Sequence, residues 1–161
     1  MSTPLALRRA FARLLVPLLL PAACVWLARQ ERRILAEGVP LDAAQLADAR
    51  ALGITWPERV RLLVLPRLPL PHNRLVRQLG LWTGTLSEET VGLSARYGIF
   101  LRSPYHRDRR LLAHELTHTR QYERLGGVRP FLRQYLRECL TEGYLCAPME
   151  QEARDAAEAL C

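Results

Sequence analysis

Residues 108–127 read Asp-Arg-Arg-Leu-Leu-Ala-His-Glu-Leu-Thr-His-Thr-Arg-Gln-Tyr-Glu-Arg-Leu-Gly-Gly, and no other stretch of the chain carries so informative a pattern. Asp108 is a suitable N-cap, and the glycine pair that begins at Gly126 is a common signal at helix C-termini. Leucines at helical spacing share the side of His114 and His118. The stretch is therefore predicted to form a helix whose two histidines face inward.

Within this helix, His114-Glu115-Leu116-Thr117-His118 is an HExxH pentad. The two histidines are one turn apart and project from the same face, so both imidazoles can bind one Zn²⁺ at about 2.0–2.1 Å per nitrogen. Glu115 would then lie beside the metal, where it can accept a proton from a bound water. The alternative is a pair of histidines satisfied by hydrogen bonds on a half-buried face, which leaves Glu115 unexplained.

A catalytic zinc requires a third protein ligand and an open position for water. A second helix is predicted from Arg129-Pro130 to about Gly143, and a third begins at Pro148. Helices joined by a short connection pack antiparallel, which can bring the third helix back across the pentad. Glu150 is the predicted third ligand; Glu152, about 200° around the helix from it, is the alternative.

These residues resemble the gluzincins, zinc metallopeptidases in which HExxH is followed on a later helix by a ligating glutamate. That glutamate often opens an E-x-x-A pattern whose alanine lets the two helices approach, and residues 150–153, Glu-Gln-Glu-Ala, match it. The resemblance covers roughly residues 85–160 and is closest to compact bacterial zincin-like domains. It implies that Glu115 is the general base and that three residues bind zinc, namely His114, His118 and Glu150.

Two further roles stay open. Gluzincins often place an Asp four residues after the ligand glutamate to orient a zinc histidine, but Arg154 stands there and Asp155 follows it. Either Asp155 or another group would orient the imidazole. Tyr122 and Tyr144 are candidate donors to the oxyanion of peptide hydrolysis, although packing as amphipathic core aromatics is the preferred explanation for each.

Composition indicates one globular domain, with 161 residues, 49% hydrophobic and 24% charged. The net charge is +7, all 23 basic residues are Arg, and they are spread along the chain, so nucleic-acid binding is not predicted. The four cysteines lack the spacing of a structural zinc site. Cys139 is predicted to pack in the core, and a bridge from it to Cys146 would require an exported protein.

The N-terminus carries an uncharged run from Leu14 to Ala28 with arginines on both sides. This run is shorter than the ~20 residues of a membrane span, and no clear cleavage site marks a signal peptide. We therefore predict a retained hydrophobic helix over residues 1–38, either membrane-associated or packed on the remaining domain, residues 39–161. Location at a membrane or in the cytoplasm is favoured over export.

Between these regions, Asp42 is predicted to cap a helix that ends at Gly53. Residues 59–65 should form a strand, and residues 91–95 and 98–102 a β-hairpin or a pair of short strands. Ile99-Phe100-Leu101 is the predicted edge strand to which an extended substrate could add, unless core packing alone explains it. His72 and His106 are predicted to be solvated.

Together these features predict a single α+β, zincin-like domain: a small β-sheet, the HExxH helix, a downstream ligand helix and the N-terminal hydrophobic helix. The expected function is a zinc-dependent metallopeptidase acting on a peptide or protein substrate. One alternative is a catalytically inactive zinc-binding or membrane-tethered accessory domain. Another is a peptide deformylase, but residues 84–87, Gly-Thr-Leu-Ser, have Thr where that class has its ligand Cys.

Overall fold

The computed structural model describes the backbone of residues 5–161 and the side chains of these residues except Leu5 and Arg8. The predicted N-terminal segment begins before this range, and its first four residues lie outside the described part. Residues 5–161 form an α+β fold with a four-stranded mixed sheet. The helices are α1 (Leu5–Glu37), α2 (Ala43–Ala51), α3 (Arg74–Thr83), α4 (Arg109–Leu125), α5 (Val128–Glu142) and α6 (Pro148–Leu160). The strands are β1 (Val39–Pro40), β2 (Arg61–Leu65), β3 (Gly92–Ala95) and β4 (Gly98–Arg102).

The sheet has the order β1-β2-β4-β3, so β4 is an interior strand. It pairs in parallel with β2, from Arg61 opposite Gly98 onward, and antiparallel with β3. Ile99, Phe100 and Leu101 are completely buried. The prediction that Ile99-Phe100-Leu101 is an edge strand is therefore wrong, and the core-packing explanation holds. The edge strand beside α4 is β3.

The predicted N-terminal hydrophobic helix is confirmed as α1, which is continuous through Pro17 and Pro21. One side of α1 packs on the domain: Val16 contacts the α3–α5 region, and Leu27 and Ile34 join the core of the sheet. A Cβ on Gly98 would lie 2.8 Å from the Ile34 Cβ, so this close approach requires glycine. By length and composition, the Arg9–Glu37 part of α1 is apolar enough to cross a membrane, and 33% of its most apolar window is buried.

Helix α3 and strand β1 are not among the elements that the sequence predicts. Asn73 caps α3 by accepting hydrogen bonds from the backbone N–H groups of Leu75 and Val76. Gly80 lies inside this helix, where glycine lowers helix propensity by about 1 kcal/mol relative to alanine. A Cβ there would lie 2.9 Å from the Leu86 Cβ, so tertiary packing selects the glycine. The helical propensity of this segment is therefore lower than its packing in the folded protein would suggest.

The three C-terminal helices follow the prediction closely. The Asp108 carboxylate caps α4 by accepting from the Arg110 and Leu111 backbone N–H groups, and Gly126 ends the helix in a left-handed conformation. Helix α6 returns across α4, and Ala157 packs into the same core cluster as Leu116. This antiparallel return brings the start of α6 to the pentad.

Candidate metal centre

Three side chains from α4 and α6 converge on one point. The Nε2 atoms of His114 and His118 are 3.1 Å apart. The Glu150 carboxylate reaches both of them, with Oε2 3.4 Å from His114 Nε2 and Oε1 3.1 Å from His118 Nε2. All three predicted ligands therefore meet, and together they form a group that could hold a metal ion.

The dimensions of this group fit a tetrahedral site. Donors about 2.0–2.1 Å from a zinc ion at tetrahedral angles lie about 3.3 Å from one another. The two imidazole Nε2 atoms are 3.1 Å apart, and each lies 3.1–3.4 Å from the nearer Glu150 oxygen, which is close to that value. Glu150 Oε2 is also buried and has no hydrogen-bond partner among the described residues. Because a buried oxygen without a partner destabilises the fold, a cation at the centre would stabilise the protein by binding Glu150 Oε2.

Gln121 orients the imidazole of His118. The Gln121 amide nitrogen donates to the Met149 carbonyl and to Glu152 Oε2, both at 2.9 Å, so its oxygen must be the atom that faces His118. This oxygen is 2.8 Å from His118 Nδ1. Because an amide oxygen only accepts, Nδ1 carries a proton, so an imidazole that loses its other proton keeps the Nε2 lone pair for a metal ion.

Tyr135 supports the third donor. Its hydroxyl donates to Glu150 Oε1 at 2.7 Å, while the Arg154 guanidinium lies 3.8 Å from Oε2. Burial by itself raises the pKa of Glu150, but the adjacent imidazoles of His114 and His118 lower it below its ordinary value. Glu150 is therefore an ionised carboxylate, the form that binds a metal.

Glu152 takes a different role. It accepts hydrogen bonds from Arg120, Gln121 and Arg124 at 2.6–2.9 Å, on the side of α6 away from the histidines. These contacts lower the pKa of Glu152 to about 2, and the hydrogen bond with Arg124 has the largest effect. Of the two candidate glutamates, Glu150 is the one that converges on the imidazoles. Ala153 is completely buried, as the close approach of α6 to α4 requires.

Glu115 is buried between α4 and the edge strand β3. A Cβ on Gly92 would lie 2.4 Å from Glu115 Oε1, so the carboxylate occupies the space that glycine leaves open. The Ser94 backbone N–H also hydrogen-bonds to Glu115. Burial raises the pKa of Glu115, against the lowering effect of the positive charge that His114 and His118 carry when protonated. A carboxyl group with a raised pKa is suited to accept a proton and to return it.

The converging side chains lie in the wall of a cavity of about 530 Å³. The inner faces of α1, α3 and α5 supply its apolar walls, and residues 90–94 along β3 supply another side. Both Glu115 and the three donors line the cavity. Its volume is in the range of small-molecule and peptide-side-chain sites.

The other residues that the sequence suggested for the site have different positions in the structure. Tyr122 is a core residue, stacked on Phe131 with its hydroxyl donating to the Ser94 carbonyl. Tyr144 lies in the cavity wall, where burial, followed by the Glu150 carboxylate, raises its pKa. Asp155 is exposed, and Gln121 orients His118 instead. The four cysteines are free, and Cys139 is buried as predicted.

Sequence reasoning missed Gln121 and Tyr135 as parts of this centre. Each residue has a feature in the sequence that could have indicated its role. Gln121 follows His118 by three residues on the inward face of α4, and a buried amide requires partners. Tyr135 lies on the apolar face of α5, and a buried tyrosine hydroxyl usually finds an acceptor.

Comparison of the chain with protein-family models, with curated proteins and with solved structures finds no match.

Proposed function

We propose that the chain is a zinc-dependent metallopeptidase with a zincin-like active site, in which His114, His118 and Glu150 bind the metal. The observation that supports this most strongly is the convergence of the three side chains, whose nearest donor atoms are 3.1–3.4 Å apart. Glu115, which follows His114 directly, adds a buried carboxylate that is not needed as a ligand. Structural zinc sites are usually closed by four protein ligands, whereas three ligands are typical of catalytic sites.

In this proposal, Glu115 moves the proton. When bound, zinc polarises the substrate carbonyl and lowers the pKa of a water to about 7. Glu115 accepts the proton of that water and later gives it to the leaving amine. Its burial favours both transfers, since a carboxyl group with a pKa nearer to neutrality returns a proton more readily.

The substrate would lie between β3 and the cavity. Among the described residues, β3 pairs only with β4, which leaves its other edge unpaired. Residues 90–94 also line the cavity. An extended peptide that adds to this edge would have its backbone beside Glu115 and alternate side chains directed toward the apolar walls.

The substitution Glu115→Gln tests the proposal. Purified wild-type and variant proteins, both loaded with zinc, are incubated with a mixed peptide library, and new peptide termini are identified by mass spectrometry. The wild type is expected to generate termini and Glu115→Gln to generate essentially none, while both proteins retain zinc. Glu142→Gln, an exposed change on α5, is the matched control.

Two outcomes would contradict parts of this proposal. Equal cleavage by Glu115→Gln and wild type would refute the general-base role. Full zinc occupancy without cleavage by the wild type would favour the alternative of a zinc-binding module that hydrolyses nothing.

A further inference from the structure

Helix α1 has a second apolar stripe, opposite to the one that packs on the domain. Leu7, Phe11, Leu14, Leu18 and Val25 recur every three or four residues, or multiples of this spacing, and are 44–78% exposed. They lie on the other side of the helix from Val16 and its buried neighbours. A soluble helix normally places polar residues there, so this outer stripe requires a partner.

Helix α3 extends the stripe into a broader surface. Leu75, Leu81 and Trp82 are 42–64% exposed, and the Trp82 ring lies edge-to-face on Phe11 with the centroids 5.0 Å apart. We call the exposed residues Leu7, Phe11, Leu14, Leu18, Val25, Leu75, Leu81 and Trp82 the α1–α3 face. Contiguous apolar surfaces of this kind mark interaction sites.

The charges around this face have one sign. Residues 5–30, which make up most of α1, and the whole of α3 carry six arginines and no acidic residue. The two acidic residues of α1, Glu31 and Glu37, follow Val25, the last residue of the face on this helix. Exposed arginines on the two helices include Arg9, Arg13, Arg74 and Arg77. An apolar surface that is bordered only by arginine complements an anionic lipid membrane. In a dimer formed through the same surface, the arginines would instead face one another and repel.

The packing of α1 determines how it would meet the membrane. Its inner side packs extensively on α5, and α5 carries exposed charges such as Arg133, Arg137 and Glu142. If α1 spanned the bilayer, these charges would enter the hydrocarbon, at a cost of several kcal/mol. An orientation in the membrane plane leaves them in water.

We propose that the α1–α3 face docks the protein in plane on anionic lipid membranes. Its apolar side chains would enter the outer part of the bilayer and its arginines would contact lipid phosphates. The inner sides of the same helices, at Ala23, Leu27, Val76 and Leu79, line the cavity of the candidate metal centre. Docking therefore places the cavity next to the lipid surface. This proposal is independent of the peptidase activity.

Sedimentation with vesicles tests the docking. The full chain is mixed with vesicles of phosphatidylcholine alone, or of phosphatidylcholine with phosphatidylglycerol. We expect binding to the anionic vesicles, weaker binding to the neutral ones, and a decrease in binding as salt is raised. An absence of binding to anionic vesicles would refute the proposal.

Matched variants locate the contact. Leu14→Ser/Leu18→Ser and Arg9→Gln/Arg13→Gln are each expected to lower the vesicle affinity by roughly tenfold or more. Arg50→Gln/Arg107→Gln removes the same charge outside the α1–α3 face and serves as the control. Zinc content and circular dichroism establish that each variant is folded.

The exposed tryptophans give a second comparison. Trp82→Ser is expected to weaken binding, whereas Trp56→Ser is not, because Trp56 is 55% exposed but lies next to Glu123 rather than on the α1–α3 face. Equal binding of all folded variants would overturn the proposal. So would a wild-type dimer that binds no lipid and dissociates in Leu14→Ser/Leu18→Ser, because the partner of the face would then be a second copy of the chain.

Discussion

Replacement of Gln121 by leucine should weaken zinc binding although Gln121 is not itself a ligand. Gln121 is completely buried and accepts a hydrogen bond from His118 Nδ1 at 2.8 Å. This contact keeps the proton on Nδ1 and leaves Nε2 free to bind the metal. Leucine has a similar size but cannot accept a hydrogen bond from Nδ1–H, so the imidazole would lose both its orientation and its preferred tautomer.

The expected magnitude follows from these contacts. Loss of a group that orients a metal-binding histidine typically lowers metal affinity about 10–100-fold, or roughly 1.4–2.7 kcal/mol. The leucine also leaves the buried His118 Nδ1–H without its 2.8 Å acceptor. Each buried group left unsatisfied costs about 1–3 kcal/mol, and a domain of this size loses about 2–4 °C of melting temperature per kcal/mol. The metal-free variant should therefore melt about 2–12 °C below the wild type.

Zinc affinity can be measured by competition with a chromogenic chelator. Gln134→Leu is the control, since Gln134 is exposed and donates only to Glu138. The exchange Gln121→Glu/Glu152→Gln keeps an acceptor for His118 and a donor at position 152 without changing the net charge. It is expected to bind zinc within about tenfold of the wild type. A folded Gln121→Leu protein with wild-type zinc affinity would refute the tautomer assignment.

Two further substitutions probe the neighbourhood of the centre. In Gly92→Ala, the added Cβ would lie 2.4 Å from Glu115 Oε1 and would displace the carboxylate. A displacement of about 1 Å should lower peptidase turnover about 100-fold while the zinc content stays unchanged. Turnover equal to that of the wild type would show that the position of Glu115 is unimportant. Glu152→Ala should retain zinc, whereas Glu150→Ala should lose most of it, as measured by metal analysis after dialysis. Because the pKa of Glu152 is lowered from 4.5 to about 2 in the folded protein, its contribution to stability is present above about pH 4.5 and is lost as the pH falls toward 2. Urea unfolding of the metal-free protein should thus show a smaller decrease in stability over this pH range for Glu152→Ala, and an unchanged decrease would contradict the assigned contacts.

Local signals in the sequence account for most of what could be predicted. Asp108 and Gly126 determine where α4 begins and ends, because a side-chain cap and a left-handed glycine act within one turn of the helix. The pairing of His114 with His118 follows from helical geometry alone. Glu150 followed from the expected antiparallel return of the third helix and from the resemblance to gluzincins, and its carboxylate lies at the two imidazoles.

Features that depend on distant segments could not be predicted in the same way. The residues Ile99-Phe100-Leu101 read equally well as an edge or an interior strand, and pairing with β2 decides between them. Gly80 weakens the helical pattern of α3, and only its contact with Leu86 explains it. The links from Gln121 to His118 and from Tyr135 to Glu150 arise where separate side chains meet in the folded core.

The zinc content of the purified protein tests the central claim most directly. After dialysis against metal-free buffer, inductively coupled plasma mass spectrometry should find close to one zinc per wild-type chain. His114→Ala/His118→Ala, with circular dichroism as evidence of folding, should contain almost none. Zinc near one equivalent in that folded double variant, or none in the wild type after incubation with zinc, would contradict a metal centre formed by His114, His118 and Glu150.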